Sequence, residues 1–213
     1  IPIYAESVAF RILTERLTEE SENVNRPPFS YLFNYIGSWN EPVDWEDTDV
    51  LDSYIREQGS SALGLTITRI VRHYETMNFR LFTANEMTYS EDNILDYMTF
   101  ATVDDFFNQI EVVEGTLPAP VDPTANSIVE VLVARNFANE FGIQAGDQCL
   151  AYNWRLDPDD PLQITEVRVA GIWIPTDDTS EYWFYQPFAF EDALIIRDAN
   201  YRERLSPYTD SEI

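Results

Sequence analysis

Thirty-eight carboxylates, one histidine and one cysteine bound the chemistry open to this chain of 213 residues. The carboxylates gather in three places: Asp44, Glu46, Asp47 and Asp49 around Trp45; Asp157, Asp159 and Asp160 around Pro158 and before Pro161; and Asp177 with Asp178 after Pro175. Calcium takes six to eight oxygen ligands and suits such groups. No cluster has the spacing of an EF-hand loop, which needs a glycine at its sixth position and a glutamate at its twelfth. Each cluster is therefore read as a solvated turn, and the Asp157 to Pro161 run as a hairpin turn between strands ending near Trp154 and starting near Leu162. His73 stands alone beside Arg72 in a strand-like run, so a His-rich zinc site or a His dyad is excluded. There is no G-x-S-x-G nucleophile motif and no P-loop. Cys149 alternates with Ala151 along a strand-like run and is read as a small buried hydrophobe. The chemistry-bearing residues thus predict no catalytic residues, no cofactor and no metal.

Paired carboxylates can hydrolyse glycosides when they stand about 5 or about 6.5–9.5 Å apart in space. Trp39, Trp45, Tyr182, Trp183, Phe184 and Tyr185 are of the type that stacks on sugars. A secreted carbohydrate-binding or carbohydrate-active protein is the alternative these residues keep open.

Hydrophobic residues make up 45% of the chain and aromatics 14%, which predicts a folded protein and not an acidic tail. The formal net charge of -25 opposes nucleic acid, because binding phosphate depends on Lys and Arg releasing condensed counterions. All 13 basic residues are Arg and Lys is absent. No apolar run approaches the ~20 residues needed to cross a bilayer.

The elements that must position these groups follow from periodicity and turn chemistry. Tyr4, Val8, Phe10 and Ile12 predict a first strand, and Pro27, Pro28 and Pro42 break a long loop over 18–47 that holds a short strand at Tyr31 to Ile36. Asp49 is expected to cap a helix whose Val50, Leu51, Tyr54 and Ile55 pack on a sheet and which Gly59 stops. Leu63 to Tyr74, Met77 to Thr83 and Tyr97 to Ala101 read as strands. Thr102 and Asp105 form a capping-box variant for a helix. Ile128 to Val133 is a buried strand, and Phe137, Ala138 and Phe141 share one helical stripe that Gly142 ends, with Ile143 folding back. Gly146-Asp147 restarts an extended chain, Val169 and Trp173 are core, Ala193 to Arg197 is a last strand, and Asp198 caps a short helix ending before Pro207. The class is α+β: mixed β-sheets with packed short helices.

The densest aromatic patch runs from Glu181 to Phe190. It has two readings, core packing or an exposed surface that touches a partner or a lipidic substrate. Tyr182, Trp183, Phe184 and Tyr185 are accordingly the candidate coupling or partner surface.

Strand, short aromatic helix, Gly-Asp turn and closing Val-x-Gly-Ile strand follow one another through Val131, Ala134, Ala138, Phe141, Gly142, Gly146, Asp147, Val169, Gly171 and Ile172. This order resembles the extracytoplasmic (periplasmic core) domain of FtsX/MacB-type ABC transporter permeases. The resemblance covers about a third of the chain. It implies two subdomains, a porter-like layer from 1–100 and 176–213 and an inserted smaller α/β unit over 101–175. It also implies a non-catalytic domain on the extracytoplasmic side of the cell membrane, dimeric in the full transporter. Its partners would be its own transmembrane helices, a cytoplasmic ATPase subunit, and a lipoprotein, peptide or lipidic substrate. Ile1 enters a strand-like pattern at once, which fits a chain cut from something longer. Ile1 and the segment after Leu205 are then expected at the same end of the molecule. Residues 14–47 are longer and more aromatic than the family's pattern.

Overall fold

The computed structural model describes residues 11, 30–33, 45–85, 89–120, 128–156, 163–184 and 186–205. The strand expected at Tyr4 to Ile12, most of the loop over 18–47, the hairpin tip at 157–161 and the placement of the two chain ends lie outside them.

Alternating apolar residues build strands that curl into a ring. After helix α1 (Trp45–Leu63) come β1 (His73–Glu75), β2 (Phe79–Thr83), β3 (Asp96–Val103) and β4 (Ile110–Gly115). Then follow β5 (Val129–Ala134), α2 (Arg135–Phe141), β6 (Gln148–Tyr152), β7 (Ile164–Pro175), β8 (Ala193–Ile195) and α3 (Asp198–Asn200), which runs into a π turn over Tyr201–Leu205. β1 and β2 both lie antiparallel to β3, with His73 opposite Val103 and Phe79 opposite Met98. β2 continues to β6 and β6 to β7, both antiparallel. β7 runs parallel to β5, β5 meets β8 at Leu132 and Ile195, and β8 runs parallel to β3. That last pairing closes six strands, β2, β3, β8, β5, β7 and β6, on themselves. β4 extends the sheet on the far half of β7, with Ile110 opposite Pro175. The class is α+β, one mixed sheet of eight strands with short helices packed on it. The ring takes β2 and β8 from the 1–100 and 176–213 segments, β5 to β7 from the 101–175 segment, and β3 from across their junction.

A small ring needs tight curvature, and bulges with glycines supply it. The register of β7 shifts against β5 between Val131 and Leu132 and against β4 between Val112 and Glu114. Gly115 and Gly171 face each other there, and a Cβ on Gly115 (φ +77) would stand 2.2 Å from the Ala170 carbonyl oxygen.

The pleat separates two cores. Phe79, Leu81, Met98, Phe100, Val131, Cys149, Ala151, Val167, Val169 and Leu194 belong to the cluster enclosed by the ring. Their alternate neighbours Ala101, Leu132, Ala134, Trp173, Ala193 and Ile195 face outward from β3, β8, β5 and β7 into a second, aromatic cluster.

Helix α2 forms as its stripe predicts, with Phe137 and Ala138 buried and Phe141 half-buried. Gly142 takes the left-handed conformation (φ 68), and the N–H groups of Gly142 and Ile143 both donate to the Ala138 carbonyl. The Asp147 carboxylate accepts from the Gln144 N–H at 2.8 Å and holds the turn that Gly146 (φ 98) makes possible.

Five expectations are corrected. α1 starts before Asp49 and runs through Gly59 to Leu63; Gly59 is buried under Ile67, and Gly64 (φ +68) ends the helix instead. Val50 and Tyr54 on its expected packing face are 71% and 53% exposed, while Leu51 and Ile55 are half-buried. Of the strand expected over Leu63 to Tyr74 only the end forms, because β3 stops pairing at Val103 and residues 66–72 find no ladder. Thr102 stays in β3 opposite Tyr74, and Asp105 takes φ 64 before a single 3-10 turn over Phe106–Asn108, so no helix starts there. β8 ends at Ile195, and Arg197 occupies the cap position before α3 that was expected of Asp198.

Candidate functional site

The aromatic run is an excursion between β7 and β8 that folds back over the outer face of the ring. Its first turn is local: the Asp177 carboxylate accepts from the Thr179 N–H at 2.9 Å and hydroxyl at 2.7 Å, and these bonds hold its pKa below the usual range. The chain then returns, and the Trp183 indole N–H donates to the Asp177 carbonyl at 2.8 Å. Trp183 is buried, nearly parallel to Trp173 at 6.5 Å, with Phe106 and Phe190 each 5.8 Å away. Tyr182 packs edge-on to Trp183 at 4.9 Å. Pro187 starts the closing 3-10 turn over Pro187–Phe190, which returns Phe190 to the cluster.

Polar contacts fasten this cap at its rim. The Tyr182 hydroxyl donates to the Asp104 carbonyl at 2.8 Å. Burial and the nearby Asp105 and Asp104 charges raise its pKa, so it remains a phenol and a donor at neutral pH. The Asp104 carboxylate receives a two-pronged bond from the Arg72 guanidinium, 2.8 Å from Nε and 3.0 Å from the second amino group. The other arm of Arg72 reaches Asp52 of α1 at 3.3 Å. One arginine therefore joins α1, the segment entering β1 and the turn that carries the cap. The sequence marked Arg72 only as a neighbour of His73; its role depends on Asp104, 32 residues away, and no local pattern announces such a pair.

The four candidate residues divide. Tyr182 and Trp183 are core, Phe184 is half-buried, and Tyr185 lies outside the described residues. The outward face of the excursion is carried by Phe188, 64% exposed.

The remaining reactive groups are placed apart. His73 packs its ring 5.3 Å from Phe190, with Nε2 3.4 Å from Glu75; burial lowers its pKa and Glu75 opposes the shift. The thiol of Cys149 is pushed up to about 11, chiefly by burial and then by the Asp147 charge. It lies beside a cavity of about 90 Å³ lined by Ala84, Ile128, Gln148 and Glu166, well below the ~300 Å³ at which ligand sites begin. Among the described residues no three His, Cys, Asp or Glu side chains converge as metal ligands, and no helix is long and apolar enough to cross a membrane.

Compared with known proteins, the chain matches no family model and no characterised sequence.

Proposed function

We propose that this chain is a non-catalytic extracytoplasmic domain of an ABC transporter permease, a relay that passes motion from cytoplasmic ATP hydrolysis to a substrate at the outer face of the membrane. The observation that carries the reading is the unit from Val129 to Pro175. Strand, short aromatic helix, left-handed Gly142, Gly146-Asp147 turn and closing strand through Gly171 follow one another there, an order that resembles the permease domain's. The fastening is of a kind a relay needs. Arg72 ties α1 to the turn after β3 and Tyr182 ties the aromatic cap to the same turn, which gives a continuous chain of contacts from α1 to the cap. Its partners are its own transmembrane helices and an ATPase subunit, and its substrate is a lipoprotein, peptide or lipid. The domain stands on the extracytoplasmic side of the cell membrane and pairs with a second copy in the assembled transporter.

The carbohydrate alternative is less well supported. Stacking on a sugar needs an open ring face, and Tyr182 and Trp183 spend theirs on the core.

The test is the complete reading frame expressed in membranes with the neighbouring ATPase gene. The reading expects apolar helices flanking residues 1 and 213 and an ATPase subunit that copurifies; a frame with neither would remove it.

A further inference from the structure

The charge balance carries a conclusion that does not depend on the permease reading. Carboxylates outnumber guanidinium groups 38 to 13, and no lysine supplies further positive charge. The structure shows how the arginines are used. Arg72 is taken up by Asp104 and Asp52, Arg80 by Glu91, Arg168 by Glu130 and Arg202 by Asp198. Arg197 donates to the Pro118 carbonyl and lies 5.3 Å from the Phe107 ring.

The carboxylates meanwhile crowd one another. Asp192 stands just before β8 against β3, its carbonyl accepting from the Thr99 N–H at 3.1 Å, and Asn136 of α2 donates to the adjoining Glu191. Burial and the charges of Asp96, Glu191 and Glu140 hold the Asp192 carboxyl above the usual range. Glu57, Asp92, Glu111, Glu166 and Glu181 are exposed elsewhere on the surface.

Folding concentrates this charge. A chain of this length contracts from a radius of gyration of about 50 Å to about 17 Å, which brings every carboxylate within reach of more neighbours. Screening acts over about 10 Å at 0.1 M salt and about 3 Å at 1 M, so dilute buffer leaves the repulsion in place and concentrated salt removes most of it.

We propose that the native state of this chain is completed by a diffuse layer of monovalent cations, and that it folds and works in surroundings of about 1 M salt or more. The partner is hydrated potassium or sodium, held by the surface as a whole and at no single site.

The experiment is urea unfolding of the 213-residue chain in KCl and NaCl from about 0.1 to about 3 M, a range spanning both screening regimes. The midpoint is expected to rise steeply, nearly equally for the two salts, and to level off above about 1 M. A midpoint that does not move over this range overturns the proposal. Salt also strengthens apolar burial, so a second arm separates the two effects. A variant with Glu57→Gln, Asp92→Asn, Glu111→Gln, Glu140→Gln, Glu166→Gln and Glu181→Gln keeps the core and removes six charges. It is expected to unfold at higher urea than the parent in dilute salt and to respond more weakly to KCl. An unchanged response would assign the salt effect to apolar burial and overturn the proposal. Full stabilisation by millimolar magnesium without KCl would point to a discrete site and overturn it as well.

Discussion

The Tyr182 hydroxyl donates a 2.8 Å hydrogen bond to the backbone carbonyl of Asp104, whose carboxylate is gripped by Arg72. Asp104 is thus held twice: its backbone carbonyl ties the turn after β3 to the aromatic cap, and its side chain ties the same turn to Arg72 and so to α1. Tyr182→Phe keeps the ring and leaves that carbonyl short of a buried donor, so a loss of about 1–2 kcal/mol is expected in urea unfolding. No loss would mean that the cap is held by ring packing alone.

The two phenylalanines of α2 separate by burial. Phe137 is 4% exposed, and Phe137→Ala should cost about 3–5 kcal/mol, as large-to-small changes at full burial do. Phe141 is half-buried beside it at a ring distance of 4.8 Å, so Phe141→Ala should cost roughly half as much. Equal losses would contradict the placement of α2.

Gly115 and Gly142 both have φ near +70°, yet their surroundings differ. At Gly142 an added Cβ meets nothing within 4 Å, so Gly142→Ala should cost about 1–2 kcal/mol for the left-handed backbone alone. At Gly115 the same atom meets the Ala170 oxygen at 2.2 Å and Gly171 Cα at 2.9 Å, so Gly115→Ala must also force β4 from β7. A thermal melt of the two variants should place Gly115→Ala clearly lower.

The helix at α2 was legible because its whole signal is local: a stripe of three apolar residues, then a glycine at the place where only a left-handed residue stops the turn. α1 was legible as a helix but not in extent. Asp49 and Gly59 carry the residue types of a cap and a stop, while burial of Gly59 under Ile67 and the freer Gly64 decide where the helix ends. β-branched Thr66, Ile67, Thr68, Ile70 and Val71 favour a strand, yet a strand needs a partner, and β3 turns away at Asp104. Closure of the ring through β3 and β8 joins residues more than ninety apart, and burial of Trp183 follows from that closure. Neither leaves a periodic trace. Of the candidate surface, the sequence found the run and the structure decided which rings face inward.

Glu130 should make stability sensitive to acid. Its folded-state pKa is lowered, first by the Ala119 N–H at 2.6 Å and then by Arg168, with burial opposing. Its contribution is present above the unfolded value of ~4.3 and is lost as pH falls through the lower folded value. Glu130→Gln should flatten stability against pH in that window, with little change between pH 6 and 8. An unaltered acid limb would remove Glu130 from this role.

Cys149 should be inert to thiol reagents in the native protein. With its thiol pushed up to about 11 and 4% exposed, it should react with a disulfide reagent at pH 8 only after denaturant is added. Rapid native labelling would contradict its burial in the ring.

The function proposed above is a relay of motion without chemistry of its own. The direct measurement is substrate export and ATP hydrolysis, read side by side, in the proposed permease assembled from the complete reading frame and its ATPase, carrying Trp183→Phe. That substitution keeps an aromatic in the cap but removes the indole bond to the Asp177 carbonyl. The variant's fold is checked by its near-UV circular dichroism. The relay account predicts export reduced several-fold while ATP turnover continues at the parent rate. Undiminished export by a folded Trp183→Phe transporter, or ATP turnover lost in step with export, would contradict it.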